Sequence, residues 1–312
     1  MSSGADEELE PRAAEVSPKL LAEIGNLTFK ARVVAESALA GMHRSRHHGT
    51  SVEFAEHKEY SPGDNIRHLD WRAFARFDRD YIKRYEDEAN LRALVVIDSS
   101  GSMGYPKVPV DRPSKLGYAT ACAGALAYVL ARQGDAVGLA TFADKLEIQV
   151  PSRARRGHLQ EILSTLEGLE AKGPSRLKVA LDALSEGLNR RTIVLVLSDL
   201  LDGGVDSLAA MGRLRARKHD VALFHILDRD ELEFPFEDST LFVSMEDDRQ
   251  VQIDARAIRK AYLEEVARFT KDAETKCRSA RVEYQLARTD RAPGQLLGQF
   301  LARRLSARAL NR

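Results

Sequence analysis

The sequence predicts an α/β protein built on a doubly wound, mostly parallel sheet. Three observations carry that expectation. From residue 91 onward, strand-like apolar runs alternate with segments of helical period. The runs are apolar at consecutive positions, as in strands covered on both faces. Two of them end abruptly in serine and aspartate, "LRALVVIDSS" and "RTIVLVLSD".

Each element can be justified in order. Ser17-Pro18 supplies a capping hydroxyl and a proline for a first helical turn, and Leu20, Ile24, Leu27, Ala31 and Val34 keep helical spacing up to Gly41, which predicts one amphipathic helix over 18–40. Residues 43–90 are charge-dense and lack a long period, with "SPGDN" as a turn and Trp71 as the only tryptophan. The alternation then gives strands near 92–97, 136–142, 192–197 and 220–227, with "KLEIQV" as an antiparallel edge strand. Helices are expected over 114–133, 155–169, 176–189 and 205–218. "TLFVSMED" and "RQVQIDA" read as a β-hairpin within an insertion near 231–255, expected to project from the domain. A long helix (255–280), a strand (282–288) and a last helix (294–309) complete the chain. The expected organisation is a disordered tail (1–17), an N-terminal helix and irregular block packed on the main domain (18–90), and the α/β domain with its hairpin (91–312).

Composition restricts the function. Among 312 residues, 47 Lys and Arg balance 47 Asp and Glu, so no net charge favours nucleic acid or an acidic membrane surface. Cys122 and Cys277 both fall in helical segments, which suits buried thiols in a reducing compartment. The acidic, polar start has no secretory pattern, and the uncharged run Leu116–Ala131 is too short for a bilayer, so a cytoplasmic protein without a membrane span is expected.

The chemistry concentrates at the strand ends. In open α/β sheets ligands bind at the carboxyl ends of the strands, where Asp98 and Asp199 both fall. In D-x-S-x-S the side chains of Asp98, Ser100 and Ser102 can curl round a cation, with Gly101 and Gly104 allowing the turn. Carboxylates and hydroxyls with no His or Cys nearby suit Mg²⁺ or Mn²⁺ rather than zinc. Asp202 reads as the cap of the helix near 205.

The "DSSGSM" pattern, with "LSDLLD" on a later strand end, resembles the metal-ion-dependent adhesion site (MIDAS) of von Willebrand factor A (VWA) domains. The resemblance implies a VWA-type sheet in which the two serines bind the metal directly and Asp199 contributes through water. It also implies a further ligand from a second loop, and Ser175 in "GPSRL" stands where that family usually has threonine, with Arg176 beside it. The preceding block resembles the family of domain of unknown function 58 at Glu53, Phe54, Glu56, Tyr60, Gly63, Asp64, Arg67, Asp70, Trp71, Ala75, Arg76, Lys83 and Glu86. That resemblance implies an adaptor or chaperone-like partner of a MoxR-type AAA+ ATPase, and brings no catalytic activity. Arg67, Trp71 and Arg76 are candidate partner-binding residues, since Trp and Arg are favoured at interface hot spots; the alternative is a salt-bridged cover over the sheet edge with Trp71 as its anchor.

Three function classes follow. The first is a non-enzymatic protein-binding module whose metal leaves one position for a partner's carboxylate. The second is a metal-dependent phosphoesterase, weakened by the lack of a phosphate-cradling loop and of basic residues other than Arg176 near the strand ends. The third is a metal-free scaffold.

Overall fold

Ser17 starts the described chain as an N-cap, its hydroxyl accepting from the Leu20 amide at 3.2 Å, and α1 (Pro18–Glu23) follows. The helix does not continue to residue 40. Asn26 accepts from the Phe29 amide at 2.9 Å and so caps a second helix, α2 (Leu27–Ser45). An amphipathic period runs across the break, which is why the two read as one. The structure, a computed structural model, describes residues 17–45, 57–59, 81–83, 91–108, 111–202 and 204–310. Most of the tail over 1–17, and Arg67, Trp71 and Arg76, lie outside the described residues.

Residues 46–90 form a unit of their own, in which β1 (His57–Glu59) and β2 (Tyr81–Lys83) pair antiparallel with Lys58 opposite Ile82. The remaining chain, 1–45 with 91–312, is one unit. It continues through β3 (Arg92–Asp98), a 3₁₀ turn (Gly101–Gly104), α3 (Lys115–Arg132), β4 (Ala136–Phe142) and β5 (Leu146–Arg153). Next come α4 (His158–Glu167), α5 (Leu177–Gly187), β6 (Ile193–Ser198), α6 (Val205–Ala216), β7 (Asp220–Leu227) and α7 (Arg229–Glu233). The last elements are β8 (Ser239–Val243), β9 (Gln250–Asp254), α8 (Ala255–Ser279), β10 (Glu283–Arg288) and α9 (Pro293–Leu310).

The main sheet has six strands in the order β10-β7-β6-β3-β4-β5. All neighbours are parallel except β4 and the edge strand β5. This is the doubly wound, mostly parallel arrangement with an antiparallel edge that the sequence predicts. Strand side chains alternate between two cores. Ala93, Val95 and Ile97 join α2, α3 and α9 on one face, while Leu94 and Val96 join α5, α6 and α8 on the other. Each fully buried Val, Leu or Ile contributes about 1.5–3 kcal/mol. Cys122 and Cys277 are free and buried in opposite cores.

Helix α2 belongs to the first core through Ala31, Val34, Ala35 and Ala38, all fully buried. It lies close against α9 because Gly298 has no side chain: a Cβ there would sit 2.8 Å from the Ala38 carbonyl oxygen. Strands β8 and β9 form a separate antiparallel hairpin outside the main sheet. Rings anchor it to the domain, with Phe234 4.4 Å from Tyr262 and 5.8 Å from Phe242 between centroids. Among the described residues no helix is long and apolar enough to cross a membrane.

Candidate metal centre

The chain runs from β3 outward to β4 and β5, then crosses to β6 on the other side of β3. That reversal opens a crevice between the carboxyl ends of β3 and β6. Asp98 is the last residue of β3, Ser198 the last of β6, and Asp199 follows it. All three are fully buried. The Asp98 Oδ1 accepts from the Ser100 amide at 2.9 Å, which starts the turn that carries Ser100 and Ser102. Its Oδ2 accepts from the hydroxyls of Ser198 at 2.7 Å and Ser175 at 2.9 Å. The Ser100 and Ser102 hydroxyls are 3.2 Å apart, and Ser102 helps hold the Asp199 carboxyl down.

Backbone bonds hold the second loop against the first: Gly101 donates to the Gly173 carbonyl at 2.8 Å and Lys172 to that of Ser99 at 2.9 Å. Asp98, Ser100, Ser102, Ser175 and Asp199 therefore meet in one crevice. Ser99 faces elsewhere, donating to the Phe142 carbonyl at 2.9 Å. Ser175 is buried and Arg176 exposed. Asp202 accepts from the Leu177 amide at 2.9 Å and the Ser207 hydroxyl at 2.6 Å, so it caps α5 and ties it to α6.

The two carboxylates differ in charge balance. Burial, reinforced by the charge of Asp199, pushes Asp98 up to about 7 against the hydrogen bonds it receives. Burial also acts to raise Asp199, but the Lys115 ammonium outweighs it and holds that carboxyl below its ordinary value. Lys115 is 1% exposed, with its Nζ 2.8 Å from Asp199 Oδ2 and 2.6 Å from Glu231 Oε1. Glu231 is itself placed by a capping box at the start of α7, accepting from the Asp228 amide at 2.7 Å. His225, lowered to about 4 by burial, lies with its Nε2 3.1 Å from the Asp199 carbonyl. Sequence reasoning missed Lys115 and Glu231, and it placed Ser198 at the rim beside Asp199 without giving it a part in the site. The signal for Lys115 was its place after the helix-capping Ser114, at the start of an otherwise uncharged run.

A hard cation fits these residues. Among the described residues no basic side chain forms an ion pair with Asp98. The donors are all oxygen, and neighbouring ligands of an octahedral Mg²⁺ stand about 3 Å apart, close to the spacings of the Ser100–Ser102 and Ser175–Asp98 oxygens. No group of three or more His, Cys, Asp or Glu among the described residues is arranged to hold a metal, so a cation here depends on serine hydroxyls.

The hairpin tip comes to the same place rather than projecting away. A Cβ on Gly101 would overlap the Met245 carbonyl, and one on Gly104 would lie 3.3 Å from the Met245 methyl. Glu246 Oε2 accepts from the Ser175 amide at 3.4 Å, and its Oε1 is buried without a hydrogen-bond partner among the described residues. A pocket of about 270 Å³ lined by Arg153, Arg155, Arg156 and His158 lies at the other end of the strands, beside the start of β4.

Comparison with known proteins places the chain. Uncharacterized proteins of Mycobacterium tuberculosis (Rv1480) and Mycobacterium bovis (Mb1516) are each 28% identical to it over 221 residues, covering 70% of this chain and 68% of theirs. Among solved structures, BatB from Bacteroides thetaiotaomicron is similar at 17% identity and a TM-score of 0.45, over 70% of this chain and 98% of that one. The SpRpn10 VWA domain is similar at 12% identity and a TM-score of 0.40, over 67% of this chain and 94% of that one. The family model described as "Protein of unknown function DUF58" matches residues 56–272, well over half of the sequence, and the chain belongs to that family.

Proposed function

We propose that this chain is a non-enzymatic, metal-dependent protein-binding module. Asp98, Ser100, Ser102, Ser175 and Asp199 would hold a Mg²⁺ or Mn²⁺ ion, which when bound supplies an open position for a partner's Asp or Glu carboxylate. The observation that carries this reading is Asp98: a fully buried carboxylate without a cationic side-chain partner among the described residues, set in a cradle of serine hydroxyls at the sheet's switch point. The family resemblance makes a MoxR-type AAA+ ATPase, or its client, the expected partner. Nucleic acid is not expected, given the balanced charge. Lys115 speaks against a phosphoesterase, because this buried cation beside the crevice is already paired with Asp199 and Glu231.

One observation favours a metal-free scaffold instead. Asp98 already receives three hydrogen bonds and Asp199 the Lys115 ammonium, so the network is satisfied in part without metal. Capture of the cognate ATPase by immobilised full-length chain separates the two readings. Binding that falls with EDTA, returns with Mg²⁺ and is lost in Asp98→Ala supports the metal-dependent module. Equal capture in every condition supports the scaffold.

A further inference from the structure

We propose that the cavity beside the start of β4 is an anion site for a small organic phosphate, with the phosphate on Arg153 and Arg156 and the carbon body on an apolar floor. It is independent of the metal reading, because β4 begins here at Ala136 and ends beside Ser99, at the other end of the strands.

The turn that leaves the edge strand builds the cavity. Arg153, the last residue of β5, stands opposite Val137. Gly157, with φ at 81°, then swings "ARRGH" back into α4, a conformation that favours glycine. The buried His158 closes the turn, its Nε2 donating to the Val137 carbonyl at 2.8 Å while its Nδ1 faces Glu161 at 3.1 Å. Strand end and helix start are thus pinned to the same residue, and the three arginines between them share one rim.

The lining has two chemistries. Ala127, Val137 and Ile162 are buried and form the apolar floor with Leu159. Arg155 pairs with Glu161 at 3.2 Å, whereas Arg153 and Arg156 have no ion-pair partner among the described residues. Asp135, an acid of the same lining, accepts from the Leu91 amide at 2.9 Å. Two such guanidiniums match a phosphate monoester, which carries about −1.5 to −2 charge at pH 7 and presents oxygens suited to their planar forks. At about 270 Å³ the cavity falls just below the ~300 Å³ at which pockets for drug-sized ligands begin, so the body is a single ring or a short chain. A basic turn alone would hold inorganic phosphate equally well; the floor selects an anion with apolar surface to bury.

The test is calorimetric titration of the full chain with phenyl phosphate, inorganic phosphate and benzoate, all in EDTA so that no metal in the β3/β6 crevice contributes. Wild type should bind phenyl phosphate at one site. Inorganic phosphate, which leaves the floor empty, and benzoate, which carries a single charge, should each bind about tenfold or more weakly. The double variant Arg153→Gln/Arg156→Gln should keep its native circular dichroism, since both side chains are exposed, and raise the Kd for phenyl phosphate about tenfold or more. Arg176→Gln, an exposed arginine at the other end of β4, should bind as wild type does. A wild type that binds no phenyl phosphate, or a native-like double variant that binds it as tightly as wild type, would overturn the site. Inorganic phosphate or benzoate bound as tightly as phenyl phosphate would overturn the ligand class. Each of these results leaves the metal centre standing, which Mn²⁺ titration reads separately.

Discussion

Replacing Lys115 with methionine removes the buried cation that pairs with Asp199 while keeping its side-chain volume. Asp199 is fully buried and would lose its ion pair at 2.8 Å; Glu231 would lose one at 2.6 Å. Asp199 would then resemble Asp98, whose carboxyl is pushed up to about 7 from an ordinary 3.8. Imposing that change on a carboxyl costs about 4 kcal/mol at neutral pH, in line with the ~3–5 kcal/mol typical of stranding one partner of a buried pair. The corresponding fall in Tm is about 8–16 °C for a domain of this size. Urea unfolding followed by circular dichroism in EDTA measures the loss directly. Mg²⁺ should return part of it, because the stranded carboxylate adds to the negative field of the crevice and binding to the folded state stabilises it. A loss below about 1 kcal/mol would refute the view that Lys115 balances this site.

Further expectations follow from the same contacts. Arg112 grips the fully buried Asp228 with two bonds, at 2.7 and 2.8 Å, so Arg112→Met should cost about 3–5 kcal/mol in urea unfolding. Asp228 is held below its ordinary 3.8, although burial acts the other way, chiefly by Arg112; its contribution is therefore full above about pH 4 and is lost as pH falls below that, and the variant should show less of this acid-side loss. Gly298→Val should force α9 from the Ala38 carbonyl, lower stability by about 1–3 kcal/mol and speed amide exchange in α2. Ser175→Ala should weaken Mn²⁺ binding less than Asp98→Ala, because water can replace a neutral hydroxyl.

The sheet and the strand-end acids were legible because buried parallel strands are written as unbroken apolar runs, and such runs end where Asp98, Ser198 and Asp199 begin. Ser175 could be named only through the family pattern, since nothing local marks a serine after proline as facing a strand 77 positions earlier. The break between α1 and α2 was hidden by a continuous apolar period, although Gly25-Asn26 carried the signal of a fresh cap. Glu246 was illegible for a physical reason. "MEDDRQ" has the composition of a solvated turn, and only the fold of the hairpin brings one of its three acids inward. Lys115 likewise reads as a surface lysine at a helix start until Asp199 and Glu231 are brought to it from other elements.

Calorimetric titration of wild type and Asp98→Ala with Mn²⁺, both checked for native circular dichroism, tests the central claim most directly. The account requires one site in wild type and none in Asp98→Ala, with the fold unchanged because Asp98 stands at the rim of the sheet. Native-like Asp98→Ala that binds Mn²⁺ as tightly as wild type, or a wild type that binds none, would contradict it.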